Sequence, residues 1–213
     1  KLQPQKIVVV YHQQLAAMQA AVADIPNIAW AKQSTPKGTG DAVLAALPYC
    51  GEQQVLVICG DMPMLQATTL QQLWQPAYQN TLTVISMQLA QPQDYGRIVR
   101  NEAGQIQAIV EEKDATALEK NINEVNSGIL SVPARFLREA LPKLNDNNAQ
   151  GEIYLPDLVA IWVEKYGACQ GLLAQDPLEF EGVNNPEDLA KANALMKSRN
   201  NRSSDFGLVN ESQ

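Results

Sequence analysis

Residues 54–59 read QVLVIC, and Gly60 and Asp61 follow at once. An apolar, β-branched run of this length is typical of a strand buried on both faces of a parallel sheet. Residues 6–11 (KIVVVY) have the same character, and residues 81–89 form a third predicted strand. Apolar residues at helical spacing lie between these strands. The order strand, helix, strand, helix, strand predicts an α/β fold with a mixed, mostly parallel sheet flanked by helices.

The second half of the chain is less regular. Its predicted strands are residues 97–100, 105–112 and 124–132, and its predicted helices are residues 134–141 and 155–165. A last helix is expected to start at Pro186, with Asn185 as its cap. From Arg199 onward the sequence is polar and unpatterned, so we expect a disordered tail. We therefore predict one domain over residues 1–198 and a tail over residues 199–213.

The composition excludes several classes of protein. With 213 residues of which 46% are hydrophobic, the chain can form a core and is not wholly disordered. No apolar run approaches the roughly 20 residues of a membrane helix, so we expect no membrane partner. The net charge of −7 argues against nucleic-acid binding, which depends on neutralising phosphates. Three scattered cysteines and a single histidine argue against a disulfide framework and a multi-histidine metal site, and favour the cytoplasm.

Two segments of the first half could contact a ligand. Asp61 follows a predicted strand at the sheet edge where ligands bind in open α/β folds, and its carboxylate could hold Mg²⁺. An ordinary turn or helix cap is the alternative reading of this aspartate. Gln33 could pair with a nucleobase edge, and Gly38 and Thr39 could bring backbone N–H groups close to a ligand. The alternative for this segment is a plain glycine-rich connection.

Four residues of the second half are further candidates. Gly96 could admit a sugar hydroxyl to the backbone, or could mark a simple bend. Glu111 could bind a ligand, although a solvated strand end explains it better. Asn126 interrupts an apolar strand, so it bonds either a ligand or neighbouring backbone. Asn184 precedes the last helix and reads first as part of its cap.

Taken together and in order, these segments resemble one family. The segments are Gln33-x4-Gly38-Thr39-Gly40, Cys59-Gly60-Asp61-Met62-Pro63, Tyr95-Gly96-Arg97, residues 109–115 (IVEEKDA), residues 126–129 (NSGI), residues 147–152 (NNAQGE) and residues 181–185 (EGVNN). They look like the uridyltransferase domain of the bacterial bifunctional N-acetylglucosamine-1-phosphate uridyltransferase and glucosamine-1-phosphate acetyltransferase. The resemblance covers residues 6–197. It implies a Rossmann-like nucleotidyltransferase fold.

The resemblance also implies a reaction and a set of roles. UTP and N-acetylglucosamine 1-phosphate would give UDP-N-acetylglucosamine and pyrophosphate, with Mg²⁺ as cofactor, for cell-wall and lipopolysaccharide synthesis. The implied roles are uracil binding by Gln33, Gly38 and Thr39, nucleotide contact by Gly60, magnesium binding by Asp61 and Asn184, and N-acetylglucosamine contact by Gly96, Glu111 and Asn126. Because the sugar phosphate is itself the nucleophile, no histidine base is needed.

The chain departs from the family pattern at both ends. The family's opening strand, its L-A-A-G-x-G-T-R-M turn and its P-K motif carry the catalytic arginine and lysine, and none of them occurs here. We therefore identify no catalytic residue in the chain and expect no turnover from it alone. The family's hexapeptide β-helix is also absent, so we do not expect an oligomer. A smaller departure is Asp41, where the family commonly has histidine.

Other functions stay open at this point. One is a different sugar-phosphate nucleotidyltransferase, such as a cytidylyltransferase or a molybdopterin guanylyltransferase. Another is a non-catalytic module that binds nucleotide sugars. The third is an α/β domain of unrelated function.

Overall fold

A computed structural model describes residues 2–207 of the chain. The described residues form two compact units. The larger unit comprises the chain up to Ile58 together with Ala67–Gln175, and the smaller unit comprises Cys59–Gln66 together with the chain from Asp176 onward. The division does not follow the single domain predicted for residues 1–198, because the smaller unit is assembled from two distant parts of the sequence.

The larger unit contains eight strands among its described residues. They are β1 (Ile7–Tyr11), β2 (Ile28–Lys32), β3 (Gln54–Val57), β4 (Thr83–Gln88), β5 (Arg97–Arg100), β6 (Ile106–Val110), β7 (Glu124–Pro133) and β8 (Gln170–Leu173). Strands β1 and β2 form a parallel pair. The other six form one sheet in which β7 pairs with β3, β4 and β5, while β6 pairs with β5 and β8 with β4.

Strand direction confirms the predicted mixed sheet. Strands β3, β4 and β5 each run antiparallel to β7, and β8 runs parallel to β4. Four strands of the six therefore share one direction, and only β6 and β7 oppose it. The result is the Rossmann-like α/β arrangement that the alternation of strands and helices indicates.

Burial corrects one detail of the prediction. Strands β1 and β3 are apolar, yet every residue in them is only half-buried. Full burial belongs instead to β4 and β7, which lie in the interior of the six-stranded sheet. The physical reason is lateral position, because among the described residues β1 pairs only with β2, and β3 only with β7. An apolar run shows that a segment can be buried, but its neighbours decide how far it is.

The described residues contain six α-helices. They are α1 (Leu15–Ala21), α2 (Thr39–Ala46), α3 (Ala67–Gln72), α4 (Ala134–Ala140) and α5 (Leu158–Tyr166) in the larger unit, and α6 (Pro186–Gly207) in the smaller. Helix α5 ends where Gly167 adopts a φ of 84° and its N–H bonds the carbonyl of Val163. No helix in the described part of the chain is both long and apolar enough to cross a membrane.

The core of the larger unit lies between α4, α5 and the six-stranded sheet. Phe136 and Trp162 meet edge to face with ring centroids 4.9 Å apart, a favourable geometry for aromatic pairs. The indole N–H of Trp162 donates to the carbonyl of Ala168 at 2.7 Å, so its polar group is satisfied. Val43 of α2 joins the same cluster, which anchors α2 and the glycine-rich turn before it.

The last helix extends farther than predicted. Arg199, where we expected the tail to begin, donates to the carbonyl of Met64 and pairs with Asp176. These contacts hold the chain at that residue, and α6 continues to Gly207. The rest of the proposed tail, residues 208–213, lies outside the described residues.

Candidate functional site

Gln33 directly follows β2, and its backbone N–H bonds the carbonyl of Tyr11. Its side-chain nitrogen donates to the Asp41 carboxylate at 2.7 Å and to the carbonyl of Gly38 at 3.3 Å. These bonds use both N–H groups of the amide, and they leave the amide oxygen to accept a bond from a ligand. Gln33 also lines an open cavity of about 310 Å³. Asp41, noted in the sequence as a departure, therefore orients the glutamine.

The glycine-rich turn is packed against the segment before α5. Gly38 has a φ of +109°, and a Cβ on it would lie 2.7 Å from the carbonyl oxygen of Ile153. The backbone of Ile153 bonds the carbonyl of Lys37 and the N–H of Gly40. The glycines are therefore required for chain packing, whether or not a ligand also approaches them. This contact joins the turn to the NNAQGE segment.

Thr39 also helps to hold the glycine-rich turn against the segment before α5. Its hydroxyl accepts a hydrogen bond from the N–H of Leu155 at 3.0 Å. Its side chain therefore supports the start of the Leu155–Asp157 turn that leads into α5. The hydroxyl keeps its own O–H as a donor, so a contact of Thr39 with a nucleobase could come from the side chain or from the backbone.

The Thr39 bond gives a prediction about stability. Thr39→Val should lower the free energy of unfolding by about 1 kcal/mol, because the Leu155 N–H loses its acceptor. Urea denaturation followed by circular dichroism measures the change. Thr35→Val, at an exposed threonine of the same segment, is the matched control and should change little. Equal stability of the two variants would contradict the role given to the Thr39 hydroxyl.

Gly96, Glu111 and Asn126 are brought together by strand register. Arg97 pairs with Val110 of β6 on one side and with Val125 of β7 on the other. In antiparallel ladders, the residue before Arg97 must then lie beside the residues after its two partners. Accordingly, the Gly96 carbonyl accepts the N–H of Asn126 at 2.8 Å. A Cβ on Gly96 would lie 3.2 Å from a Glu111 carboxylate oxygen, so glycine makes room for that carboxylate.

The structure shows how the side chain of Asn126 is used. It is buried, with 8% of its surface exposed. Its side-chain oxygen accepts the N–H of Gly128 at 3.0 Å, which satisfies a neighbouring backbone group. This bond orients the amide so that its NH₂ group is the end available to a ligand. Both readings of Asn126 are therefore compatible.

Acidic neighbours surround Glu111. Burial raises the pKa of the Glu111 carboxyl, and the charges of Asp157, Asp114 and Glu152 raise it further. The Tyr154 hydroxyl donates to Asp114 at 3.2 Å, and burial together with Asp114 raises the pKa of Tyr154 to about 12. Asp114, Tyr154 and Asp157 were not singled out from the sequence. The only hint was that Asp114 lies within the IVEEKDA segment and that Tyr154 is the second residue after NNAQGE.

Asp61 and Asn184 meet in the smaller unit. A Cβ on Gly182 would lie 3.0 Å from a carboxylate oxygen of Asp61 and 3.5 Å from the side-chain nitrogen of Asn184. The Asp61 carbonyl accepts the N–H of Val183 at 2.9 Å, which holds the two segments together. Gly60 lies beside them, and an added Cβ there would meet nothing within 4 Å.

The two adjacent asparagines have different roles at the start of α6. The Asn185 side chain accepts the N–H of Asp188 at 2.8 Å and is the helix cap. Only the backbone N–H of Asn184 takes part, bonding Asp188 at 3.1 Å. The cap predicted from these two asparagines is therefore present, with Asn185 supplying the side chain and Asn184 its backbone N–H.

The donor set at Gly182 fits a hard cation. Carboxylate and amide oxygens are ligands that Mg²⁺ accepts, and this ion keeps several waters or substrate oxygens in its shell. Among the described residues, no group of three or more histidine, cysteine, aspartate or glutamate side chains could hold a metal. At this place the Asp61 carboxylate would be the anionic ligand of a cation, and Asn184 could contribute only through its amide oxygen; oxygen ligands of this kind suit Mg²⁺ better than zinc.

Comparison with known proteins identifies the family. The model of the MobA-like NTP transferase domain matches residues 1–145. Relatives named bifunctional protein GlmU include one from Alcanivorax borkumensis, 42% identical over 190 residues, and one from Dechloromonas aromatica, 42% identical over 192 residues. These matches cover 89% and 90% of this chain but 42% of each relative, so the chain spans well under half the length of these relatives. The chain therefore belongs to the MobA-like NTP transferase domain family.

Proposed function

We propose that this chain is the uridyltransferase part of a bifunctional protein like the named relatives. It would join UTP and N-acetylglucosamine 1-phosphate to give UDP-N-acetylglucosamine and pyrophosphate. The observation that carries the proposal is the convergence of Gly96, Glu111 and Asn126 through strand register. That place offers a carboxylate acceptor and an amide donor, groups that suit the binding of a sugar with several hydroxyls and an acetamido group.

The orientation of Gln33 supports uracil as the base. Its N–H groups are bonded within the protein, so its oxygen is the group free to act. Uracil presents an N3–H donor that matches this acceptor, whereas cytosine has an unprotonated N3 at the same place. A site built around a fixed acceptor disfavours a ligand that puts a lone pair there.

The residues described suit catalysis by positioning and charge neutralisation. The attacking group is a phosphate oxygen, which is already ionised, so a protein base is not needed. Mg²⁺ bound at Asp61 and Asn184 would neutralise charge on the phosphates. The role of the protein is to hold the nucleotide and the sugar phosphate for in-line displacement.

The product suggests a place in the cell. We propose that the protein acts in the cytoplasm and supplies UDP-N-acetylglucosamine for peptidoglycan and lipopolysaccharide synthesis. Its partners would be small molecules, with no nucleic acid or membrane involved. The acidic charge balance supports the exclusion of nucleic acid.

Nucleotide binding tests the function. Calorimetric titration of the 213-residue chain with UTP, CTP, GTP and UDP-N-acetylglucosamine should show binding of the two uridine nucleotides only. Gln33→Ala should weaken UTP binding by about tenfold, the effect of losing one hydrogen bond of about 1.4 kcal/mol. Gln71→Ala, on the exposed surface of α3, is the control. A preference for GTP or CTP would instead favour another sugar-phosphate nucleotidyltransferase.

Turnover is a separate measurement. The same chain should release no pyrophosphate from UTP and N-acetylglucosamine 1-phosphate, whereas the full-length protein should. Binding without turnover agrees with the expected division of the site. Robust turnover by the chain alone would show that it contains every catalytic group.

A further inference from the structure

Arg97 is a charged side chain with only 2% of its surface exposed. Its guanidinium donates to the carbonyl of Tyr95 and to the carboxylate of Glu112. Its Nε atom is buried with no hydrogen-bond partner among the described residues. Burying such a group costs free energy, and an ion pair often fails to offset the whole cost. Stability alone is therefore a poor explanation for this arginine.

The two contacts of Arg97 enclose the candidate sugar site. Tyr95 precedes Gly96, and Glu112 follows Glu111. By binding both, the guanidinium fixes the backbone on each side of the Gly96–Glu111 contact. The backbone of Arg97 is also the point at which β5 pairs with β6 and with β7. One residue therefore governs the position of all three groups proposed to contact the sugar.

The pair also separates the roles of two adjacent glutamates. Glu112 is bound by Arg97 and lies 3.5 Å from Lys120, so two cations hold it. Glu111 faces other carboxylates instead. Because the Glu112 carboxylate is bound by cations, Glu111 is the carboxylate that remains to accept hydrogen bonds from a ligand. The sequence Glu111-Glu112 alone does not show this division.

We propose that Arg97, acting through Glu112 and the Tyr95 carbonyl, is a positioning residue for the sugar half of the substrate. This inference rests on the proposed function, because it assigns the Gly96–Glu111–Asn126 place to a sugar. Arg97 touches no substrate itself. Loss of Arg97 should weaken the binding of ligands that carry the sugar. It should leave unchanged the binding of ligands that carry only the uridine nucleotide.

The chain provides a matched control on the same strand. At the other end of β5, Arg100 makes two bonds to Glu124 at 2.7 and 2.8 Å and a third to the carbonyl of Gly104. This pair also links β5 to β7, but it lies away from Gly96 and is more exposed. A purely structural effect of losing an arginine–glutamate pair should appear at both ends of the strand.

The test compares Arg97→Met and Arg97→Lys with Arg100→Met and Arg100→Lys. Titration with UDP-N-acetylglucosamine and with UMP measures the sugar-bearing and sugar-free ligands. We expect Arg97→Met to lower the affinity for UDP-N-acetylglucosamine by about tenfold or more and to leave the affinity for UMP unchanged. Arg97→Lys, which keeps the charge, should recover part of the loss. Arg100→Met should leave both affinities unchanged. If Arg97→Met fails to fold, Arg97→Lys and Glu112→Gln carry the same comparison.

A ligand-free measurement separates this inference from the proposed function. Amide hydrogen exchange at Asn126, whose N–H bonds the Gly96 carbonyl, should accelerate about tenfold in the Arg97 variants relative to the far end of β7, and not in the Arg100 variants. Failure of the unchanged protein to bind UDP-N-acetylglucosamine would overturn the proposed function. Unchanged exchange at Asn126, or equal loss of UMP and UDP-N-acetylglucosamine in the Arg97 variants, would overturn the positioning role.

Discussion

Replacing Asp61 by asparagine in the full-length protein should lower kcat by about 10²- to 10³-fold, the range seen when one electrostatic stabiliser of a transition state is lost. The carboxylate is the only anionic ligand in the proposed magnesium set. Its loss therefore weakens binding of the ion and leaves the charge of the substrate phosphates uncompensated. The fold should persist, because Asp61 holds Val183 through its backbone carbonyl. Pyrophosphate release measured over a range of Mg²⁺ concentrations gives the result.

The control for Asp61 is the same chemical change at an exposed place. Asp24→Asn, at an exposed aspartate beyond α1, should retain full activity. Partial rescue of Asp61→Asn by high Mg²⁺ would support a metal role. Near wild-type turnover at ordinary Mg²⁺ would rule out this assignment, and a loss that no Mg²⁺ concentration relieves would give Asp61 a different role.

The adjacent glutamates should respond to glutamine in opposite directions. Glu111→Gln should raise the free energy of unfolding at pH 7 by about 1 kcal/mol, because it removes a buried charge among other carboxylates. Glu112→Gln should lower it by about 2 kcal/mol, because it leaves the Arg97 charge without its anion. Urea denaturation of both variants and of the unchanged protein measures the two changes in the free energy of unfolding.

The pH dependence gives this prediction a second check. Burial and neighbouring acids raise the pKa of Glu111 in the folded state. A carboxyl whose pKa rises on folding favours the folded state below its unfolded pKa of about 4.3, and that contribution is lost as the pH rises through the folded value. The advantage of Glu111→Gln should therefore be large near neutral pH and small near pH 4. A constant advantage would show that the gain has another cause.

Local sequence predicted most of the elements. The apolar runs located β1, β3 and β4, and the stripe on residues 155–165 located α5, which ends at Gly167 as expected. Two predictions were less accurate. The burial of β1 depends on lateral neighbours, and the length of α6 depends on contacts of Arg199 with Met64 and Asp176. Both are effects of residues far away in the sequence.

The candidate site divides in the same way. The motif segments pointed to Asp61, Gly96, Glu111 and Asn126 as ligand-binding residues, which stays a prediction, and the structure places Gly96 beside Glu111 and Asn126. Asn185 was predicted to cap the last helix, and its side chain does so by accepting the N–H of Asp188. The residues around Asn184 indicated only a part in that cap, because the nearness of its side chain and that of Asp61 to Gly182 joins segments far apart in the sequence.

The sequence by itself determined which segments are strands and helices and which short motifs carry polar groups, because periodicity, caps and glycine positions act within a few residues. Only the tertiary structure decided which of those groups meet. The register that pairs Arg97 with Val110 and Val125 places Gly96 beside Glu111 and Asn126. A shift of one residue would turn these side chains to the other face of the sheet. That register joins three strands, and β7 lies beyond the β5–β6 hairpin in the chain, so the pattern within any one segment does not encode it.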